Sequence, residues 1–502
     1  MADKKSFLKL KKNGPLVKTK RSRLELSDLP MEILHSIVSR LPIREAVRTS
    51  ILSKHWKRVW CCRAKLKFTF RSLVYKKRSG IPRFSISEQV FIQMVDAILK
   101  QHSGIGVEKM KVLFSPLNND HAEHIDRWVQ FAVASKTKQL TFDFEAQIPK
   151  KESYSFPFQI FNAANGSHLQ SLKLGSVSLQ YPSNIKFLLN LKKLELVDVN
   201  IDNDNLELML SACNVLEFFG ISGCKILTSL HIPRHSKHLK GLKVSLCPLL
   251  QVIELNSGLI TLEYEGSLIP LGPPSTLRNI CIKSLDIHSS IAYIFTELAS
   301  TLPCLEKLTL KCPELKRTTL PNKTLKFLYL RHLRLELIFV SRRKSADVLD
   351  LAKFLDAAPL MEELEVHMWM DYKLERYRKH HGELRNLPLH PHSHLKMVYI
   401  TGFYGQKDQL ELALHVLRVS TALEAMKIDP RPVVGCITQD LGMEDGLCFI
   451  DGYKIARKYL HKADGRGVVD VVKVSRDVKN IWPCNDIHPY WLSAATTGLN
   501  IS

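Results

Sequence analysis

From about Leu140 onward one short unit recurs, with apolar residues at its first, fourth and sixth positions. Clear instances begin at Leu169, Leu191, Leu216, Leu239, Leu259, Leu277, Leu305, Leu325, Met361, Leu395 and Leu423, at intervals of 18 to 36 residues. Leu191-Lys192-Lys193-Leu194-Glu195-Leu196 is typical. One such unit supplies a short strand and a return segment and cannot bury its apolar side alone, so the units must stack into a solenoid. Within the closing apolar-x-apolar triplet, period-two alternation sends both apolar residues inward and the residue between them outward. Those outward positions are Lys173, Glu195, Gly220, Lys243, Glu263, Cys281, Thr309, Tyr329, Glu365, Tyr399 and Lys427.

Most intervals fall in or near the ~20–29 residues of a leucine-rich repeat, and the two longest imply insertions. The expected body is therefore α/β, a curved parallel sheet with return helices and loops, and its concave face is the natural place for a ligand. Cys224, Cys247 and Cys312 follow strands, where the chain bends away and a small buried residue fits. A surface that tracks phosphates shows one sign of charge. Here three lysines and three glutamates are mixed, with two tyrosines toward the C-terminal half, which suits a protein target better than nucleic acid. Lys173, Glu195, Lys243, Glu263, Tyr329, Glu365 and Tyr399 are the candidate target-binding residues.

The segment ahead of the repeats is helical. Ser27 or Asp28 can cap a helix entered through Pro30 and ended before Pro42, with Leu29, Ile33, Leu34, Ile37 and Leu41 close to one face. A second helix is expected over Ile43 to Ile51, and Ser53 can cap a third that carries Trp56, Val59 and Trp60. Three short helices bury too little surface to stand alone comfortably. They hold more apolar residues than their own core can use, which suggests docking onto a partner.

Leu29-Pro30, Ile33-Leu34, Ile37, Leu41-Pro42, Ala46-Val47-Arg48, Ser50-Ile51-Leu52-Ser53-Lys54 and Trp56-Lys57-Arg58-Val59-Trp60 together resemble the plant F-box motif. The resemblance implies a Skp-type adaptor as partner and, through it, the cullin–RING parts of an SCF (Skp–cullin–F-box) ubiquitin ligase. It puts Leu29, Pro30, Ile33, Leu34, Ile37, Leu41 and Pro42 at the adaptor, with Val47, Leu52, Trp56 and Trp60 filling the small core or extending the contact. The C-terminal part, with Pro359-Leu360-Met361-Glu362-Glu363-Leu364, the run His394 to Gly405 and a helical stretch over about Gln409–Ser420, resembles the FBD-type region of plant F-box/leucine-rich-repeat proteins. The division that follows is a basic arm over 1–23, the F-box over 24–66, the repeat solenoid with a lead-in over 67–358, the FBD-like end over 359–475 and an unassigned tail over 476–502. The resemblance implies a noncatalytic substrate-recognition subunit. The alternative is a basic repeat scaffold that binds nucleic acid or another polyanion with no ligase coupling.

The remaining features exclude more than they add. Net charge is +23, and residues 1–23 hold nine of the basic residues against Asp3 alone. That arm is either a nuclear-import signal or a solvated segment. No run approaches the ~18 uninterrupted apolar residues of a membrane helix, and no secretory h-region is visible, so nucleus or cytoplasm is expected. Eleven cysteines include no C-x-x-C pair, which points to buried free thiols. His380, His381, His390, His392 and His394 cluster in sequence but lack metal-ligand spacing, so neither metal nor cofactor is expected, and His394 is read as packing at a strand entrance. No nucleophile elbow, P-loop or kinase loop occurs. Cys61 and Cys62 beside basic residues could form a reactive thiol, but a plain helix end is the better reading. Ser341-Arg342-Arg343-Lys344-Ser345 reads as a solvated loop.

Overall fold

The computed structural model describes residues 29–73, 87–115, 117–144, 152–161, 168–179, 186–255, 258–271, 276–284, 294–312, 325–339, 347–370, 375–434 and 447–474. Ser27, Asp28, the basic arm, the Ser341–Ser345 segment and the tail after 474 lie outside them. Three helices come first among the described residues, α1 (Met31–Arg40), α2 (Ile43–Arg48) and α3 (Lys54–Cys61), with a short 3-10 turn over Thr49–Ile51 before the third. The chain then enters one parallel sheet that takes up its strands in sequence order. Among the described residues these are β1 (Lys65–Thr69), β2 (Lys109–Leu113), β3 (Gln139–Asp143), β4 (Ser171–Gly175), β5 (Lys193–Val197), β6 (Phe218–Ser222), β7 (Gly241–Ser245), β8 (Thr261–Gly266), β9 (Asn279–Ser284), β10 (Lys307–Cys312), β11 (His332–Phe339), β12 (Glu363–Met370), β13 (Met397–Thr401), β14 (Ala425–Asp429) and β15 (Val469–Val471). The structure is thus the expected α/β leucine-rich-repeat solenoid behind a helical N-terminus.

The alternation read from sequence is what sets the register. Leu66 and Phe68, Met110 and Val112, Leu140 and Phe142, Leu172 and Leu174, and Leu194 and Leu196 are all buried. Each pair stacks on the next through in-register parallel pairing. The turns leaving the strands repeat as well. Ser176, Asp198, Gly223 and Leu246 all have positive φ directly after β4 to β7. Their N–H groups donate to Val197, Ser222, Ser245 and Glu265 at 2.7–2.9 Å. Three of the four are not glycine, so the ladder of turn hydrogen bonds offsets a conformation that side chains disfavour. Cys224 and Cys247 follow these turns and are buried, as is Cys312 at the end of β10.

The structure corrects the placement of one repeat. The instance assigned to Leu325 is not a strand: Leu325, Leu328 and Tyr329 are exposed, and β11 begins at His332. The true unit is Leu330-Arg331-His332-Leu333-Arg334-Leu335, five residues later, with the same spacing. Two overlapping copies of one pattern compete here, and only the second buries its inward residues, Leu333 and Leu335. Strands β1 and β2 also precede the first unit read from the sequence. The expected helix near residue 409 is present as Lys407–Val419.

Candidate functional site

The helical N-terminus offers one candidate surface. Pro30 starts α1 with φ −51° and ψ 145°, and Leu41 ends it in extended backbone before Pro42. The Ser53 side chain accepts the Trp56 N–H at 3.4 Å and caps α3. These caps fix a helix that is apolar on two sides, not one. Leu34 and Val38 point into the core with Ala46, Trp56, Val59 and Trp60, all buried. Ile33 and Ile37 stay 47% and 38% exposed on the other side. Pro30, Pro42 and Leu52 are also exposed, and Leu29, Leu41 and Val47 are half-buried. Of the residues expected at an adaptor, Leu34 therefore belongs to the core; of those expected in the small core or at the contact, Trp56 and Trp60 lie in the core and Leu52 outside it. Ile51, 82% exposed beside Leu52, joins the outer set, which helical spacing does not reveal because the residue lies in a 3-10 turn.

The junction to the sheet is tightly built. The Arg63 guanidinium donates to the carbonyls of Val38 (3.3 Å) and Ser39 (2.9 Å) at the end of α1 and to that of Lys65 (2.9 Å) in β1. Its burial lowers its pKa from the usual arginine value. His102 accepts the Gly104 N–H at Nδ1 (3.0 Å), and its Nε2 lies 3.1 Å from the Arg63 carbonyl. That arrangement describes a neutral imidazole with Nε2–H as donor, and burial lowers its pKa. Ser103 N–H and Oγ both donate to the Cys61 carbonyl.

The open face of the sheet is the second candidate surface. Register places one unbroken row of middle residues across it: Lys67, Lys111, Thr141, Lys173, Glu195, Gly220, Lys243, Glu263, Cys281, Thr309, Arg334, Glu365, Tyr399, Lys427 and Asp470. Lys173, Glu195, Lys243, Glu263, Glu365 and Tyr399 stand in it as expected. Tyr329 does not, and Arg334 takes its place. Several members are paired: Lys173 with Asp143 (3.0 Å), Glu195 with Lys193 (2.8 Å) and Lys243 with Glu263 (3.3 Å). Glu365 gathers His332 (2.7 Å), Arg334 (2.8 Å) and His367 (2.9 Å). Burial opposes ionisation of Glu365, but hydrogen bonds from His367 and His332 and the Arg334 charge outweigh it and hold the carboxyl below the usual range. His367 in turn meets Thr401 Oγ1 at 2.9 Å and the Tyr399 ring edge-on, and the Lys427 ammonium lies over that same Tyr399 ring, 5.2 Å from its centroid.

Comparison with known proteins agrees with this architecture. Residues 98–458 match the family described as the At1g61320/AtMIF1 LRR domain, and residues 26–67 match the F-box domain. The chain belongs to the F-box/leucine-rich-repeat family. Among curated Arabidopsis thaliana proteins it is 27% identical to an F-box/LRR-repeat protein, At3g18150, over 58% of this chain and 61% of the relative. It is 28% identical to the F-box/FBD/LRR-repeat protein At2g04230 over 42% of each chain. It is 30% identical to the FBD-associated F-box protein At5g56370 over 39% of this chain and 43% of that one. The chain thus spans about two fifths to three fifths of the length of these relatives.

Within this F-box/leucine-rich-repeat chain, the sharper chemical readings find little support. Burial and the neighbouring Cys62 raise the Cys61 thiol, the reverse of what a thiolate nucleophile needs. Among the described residues no group of three or more His, Cys, Asp or Glu could hold a metal ion. No described helix is long and apolar enough to cross a membrane. His392, not His394, packs at the strand entrance. It is buried, accepts the Leu395 N–H at Nδ1 (3.2 Å) and reaches the Ala358 carbonyl with Nε2 (3.1 Å), while His394 is exposed.

Proposed function

We propose that this chain is the substrate-recognition subunit of an SCF-type ubiquitin ligase. The observation that carries the reading is the outward apolar set Ile33, Ile37, Ile51 and Leu52, left uncovered within the segment that matches the F-box domain. A helix whose inner side already fills its own core has no use for isoleucines on the other side unless a partner covers them. On this reading those residues, with Pro30 and Pro42 and the half-buried Leu29, Leu41 and Val47, clamp a Skp-type adaptor, which brings the cullin–RING subunits. The open face of the sheet holds a target protein through residues such as Lys173, Glu195, Lys243, Glu263, Arg334, Glu365 and Tyr399. The chain itself performs no chemistry. It raises the effective concentration of a target lysine near the ubiquitin thioester. Such a subunit works in the nucleus or cytoplasm.

The test is co-expression with a plant Skp-type adaptor and measurement of the complex by size-exclusion chromatography and titration calorimetry. The wild-type chain is expected to form a stable complex, and Ile33→Asp with Ile37→Asp to abolish it while thermal unfolding stays unchanged. A folded wild type that forms no complex refutes the reading.

A further inference from the structure

The row of outward residues is mixed in charge along most of its length, but not at its start. On the first five strands the open face carries Lys65, Lys67, Lys109, Lys111, Lys173 and Lys193 against Asp143 and Glu195. The two carboxylates are already taken by Lys173 and Lys193. Lys65, Lys67, Lys109 and Lys111 have no ion pair among the described residues, and they are register partners of one another, Lys65 with Lys109 and Lys67 with Lys111. Neighbouring strands lie ~4.8 Å apart, and alternate residues on one strand about 6.7 Å. Four ammonium groups are therefore rooted at the corners of a small rectangle on one surface.

Like charges placed directly opposite on neighbouring strands are destabilising. Lysines on an edge strand discourage unwanted strand addition, which accounts for Lys65 and Lys67 on β1. It does not account for Lys109 and Lys111, which sit on an interior strand. Lys111 registers the strain: burial first, then the charges of Lys109, Lys173 and Lys67, hold its pKa below the usual lysine value, against weak support from Glu195.

We infer that this lysine rectangle, on the part of the open face next to the F-box helices, is the docking point for an acidic peptide segment of a partner protein. The inference deepens the proposed function by naming the chemistry of the target, and it rests on the open face being the target surface. A peptide fits better than a nucleic acid. The unpaired lysines span only two strands, and a polynucleotide running on along the row would meet Asp143, Glu195 and Glu263. Nor do the described residues place a stacking platform there. The first aromatic ring on the open face of these strands, Phe218 on β6, is covered by the Lys193 ammonium at 4.6 Å. A short acidic segment needs neither a long track nor stacked bases, and its carboxylates would relieve the repulsion between the two lysine pairs.

The test uses the full chain in complex with its adaptor and fluorescence anisotropy of three labelled probes: a twelve-residue Glu-rich peptide, a Lys-rich peptide of the same length and a single-stranded dT oligonucleotide. The Glu-rich peptide is expected to bind, with affinity falling as salt rises from 50 to 200 mM, and the Lys-rich peptide not to bind. Lys67→Gln with Lys111→Gln is expected to weaken binding about tenfold or more, and Lys65→Gln with Lys109→Gln to do the same. Lys427→Gln, far along the row, is expected to leave it unchanged. Absence of binding by the wild type, equal binding by the rectangle variants, or tighter binding of the oligonucleotide through the same lysines would overturn the inference. Adaptor affinity is measured on the same variants. Its persistence while peptide binding is lost separates failure at the lysines from failure of the ligase reading, which would show as no adaptor complex at all.

Discussion

Arg63 ties the end of α1 to β1 at the junction between the F-box helices and the solenoid, and Arg63→Ala tests that role. Three carbonyls lose a charged donor: Val38 and Ser39 at the end of α1, and Lys65 at the start of β1. A hydrogen bond to a charged group contributes about 1.5–3 kcal/mol net, and a cation at a helix C-terminus adds about 0.3–1 kcal/mol. Two terms reduce the sum. Water can reach part of this junction once the side chain is gone, and the cost of burying the guanidinium, visible in its lowered pKa, disappears with it. A net loss of about 2–4 kcal/mol is the outcome, concentrated on α1. Hydrogen exchange with mass-spectrometric readout is the suitable assay, because a chain of this size does not unfold as one unit. At ~1.4 kcal/mol per decade, protection in α1 should fall by roughly 30- to 1000-fold, while β6 to β10 exchange as in the wild type. Arg63→Lys should recover only part of the protection, since an ammonium cannot span the three carbonyls as the planar fork does. Adaptor affinity should fall as well, because α1 presents Ile33 and Ile37. Unchanged exchange in α1, or a loss spread evenly over the solenoid, would refute the reasoning.

Other outcomes follow from the same structure. Leu34→Ala removes a fully buried side chain and should cost about 2–5 kcal/mol in thermal or denaturant unfolding, whereas Ile33→Ala should leave stability nearly unchanged and weaken the adaptor complex. His102 and His392 are held neutral by burial, with folded pKa values below the unfolded ~6.5. Their stabilisation is complete above pH ~6.5 and is lost as pH falls through the folded values, so the melting temperature should drop between pH 7 and pH 5. His392→Gln should blunt that drop. Gly402 has φ +65°, and a Cβ there would stand 1.9 Å from the Met368 carbonyl oxygen. Gly402→Ala should therefore yield poorly folded protein, seen as loss of the cooperative melt. Arg385→Ala leaves the fully buried Glu411 without its main counter-charge and should cost about 3–5 kcal/mol. Glu411→Gln should be milder, because the neutral amide removes the unpaired charge.

Much of this architecture was legible in the sequence because two periods dominate it. Spacing of three and four marked α1 to α3, and the apolar-x-x-apolar-x-apolar unit marked most strands from β4 onward. The failures have particular causes. The sequence groups Leu34 with Ile33 because an apolar count cannot tell two neighbouring faces of a helix that is apolar on both. Spacing alone admits Tyr329 to the sheet because Leu325 and Leu330 each begin a unit of the right spacing, and burial of Leu333 and Leu335 decides between them. Strands β1 and β2 are harder to read because the unit of β1 would begin at Arg63, and that of β2, Val107-x-x-Met110-x-Val112, contains no leucine.

That last difficulty bears directly on function. Read from the clear repeats alone, the outward row is balanced between lysine and glutamate and looks like a face with no charge preference. The register shows that it begins with Lys67 and Lys111, opposite each other and flanked by Lys65 and Lys109. The charge preference therefore lies in two strands that precede the clear leucine-led repeats of the sequence. It also lies next to the helices tied down by Arg63, so a ligand held there would be presented at a fixed place relative to the F-box surface. An acidic segment bound at the far end of the same face, near Lys427, would lack that constraint. If positioning is how such a subunit acts, exchanging Lys67 and Lys111 for glutamine should reduce target modification more than Lys427→Gln does, even for a target that contacts both ends of the row.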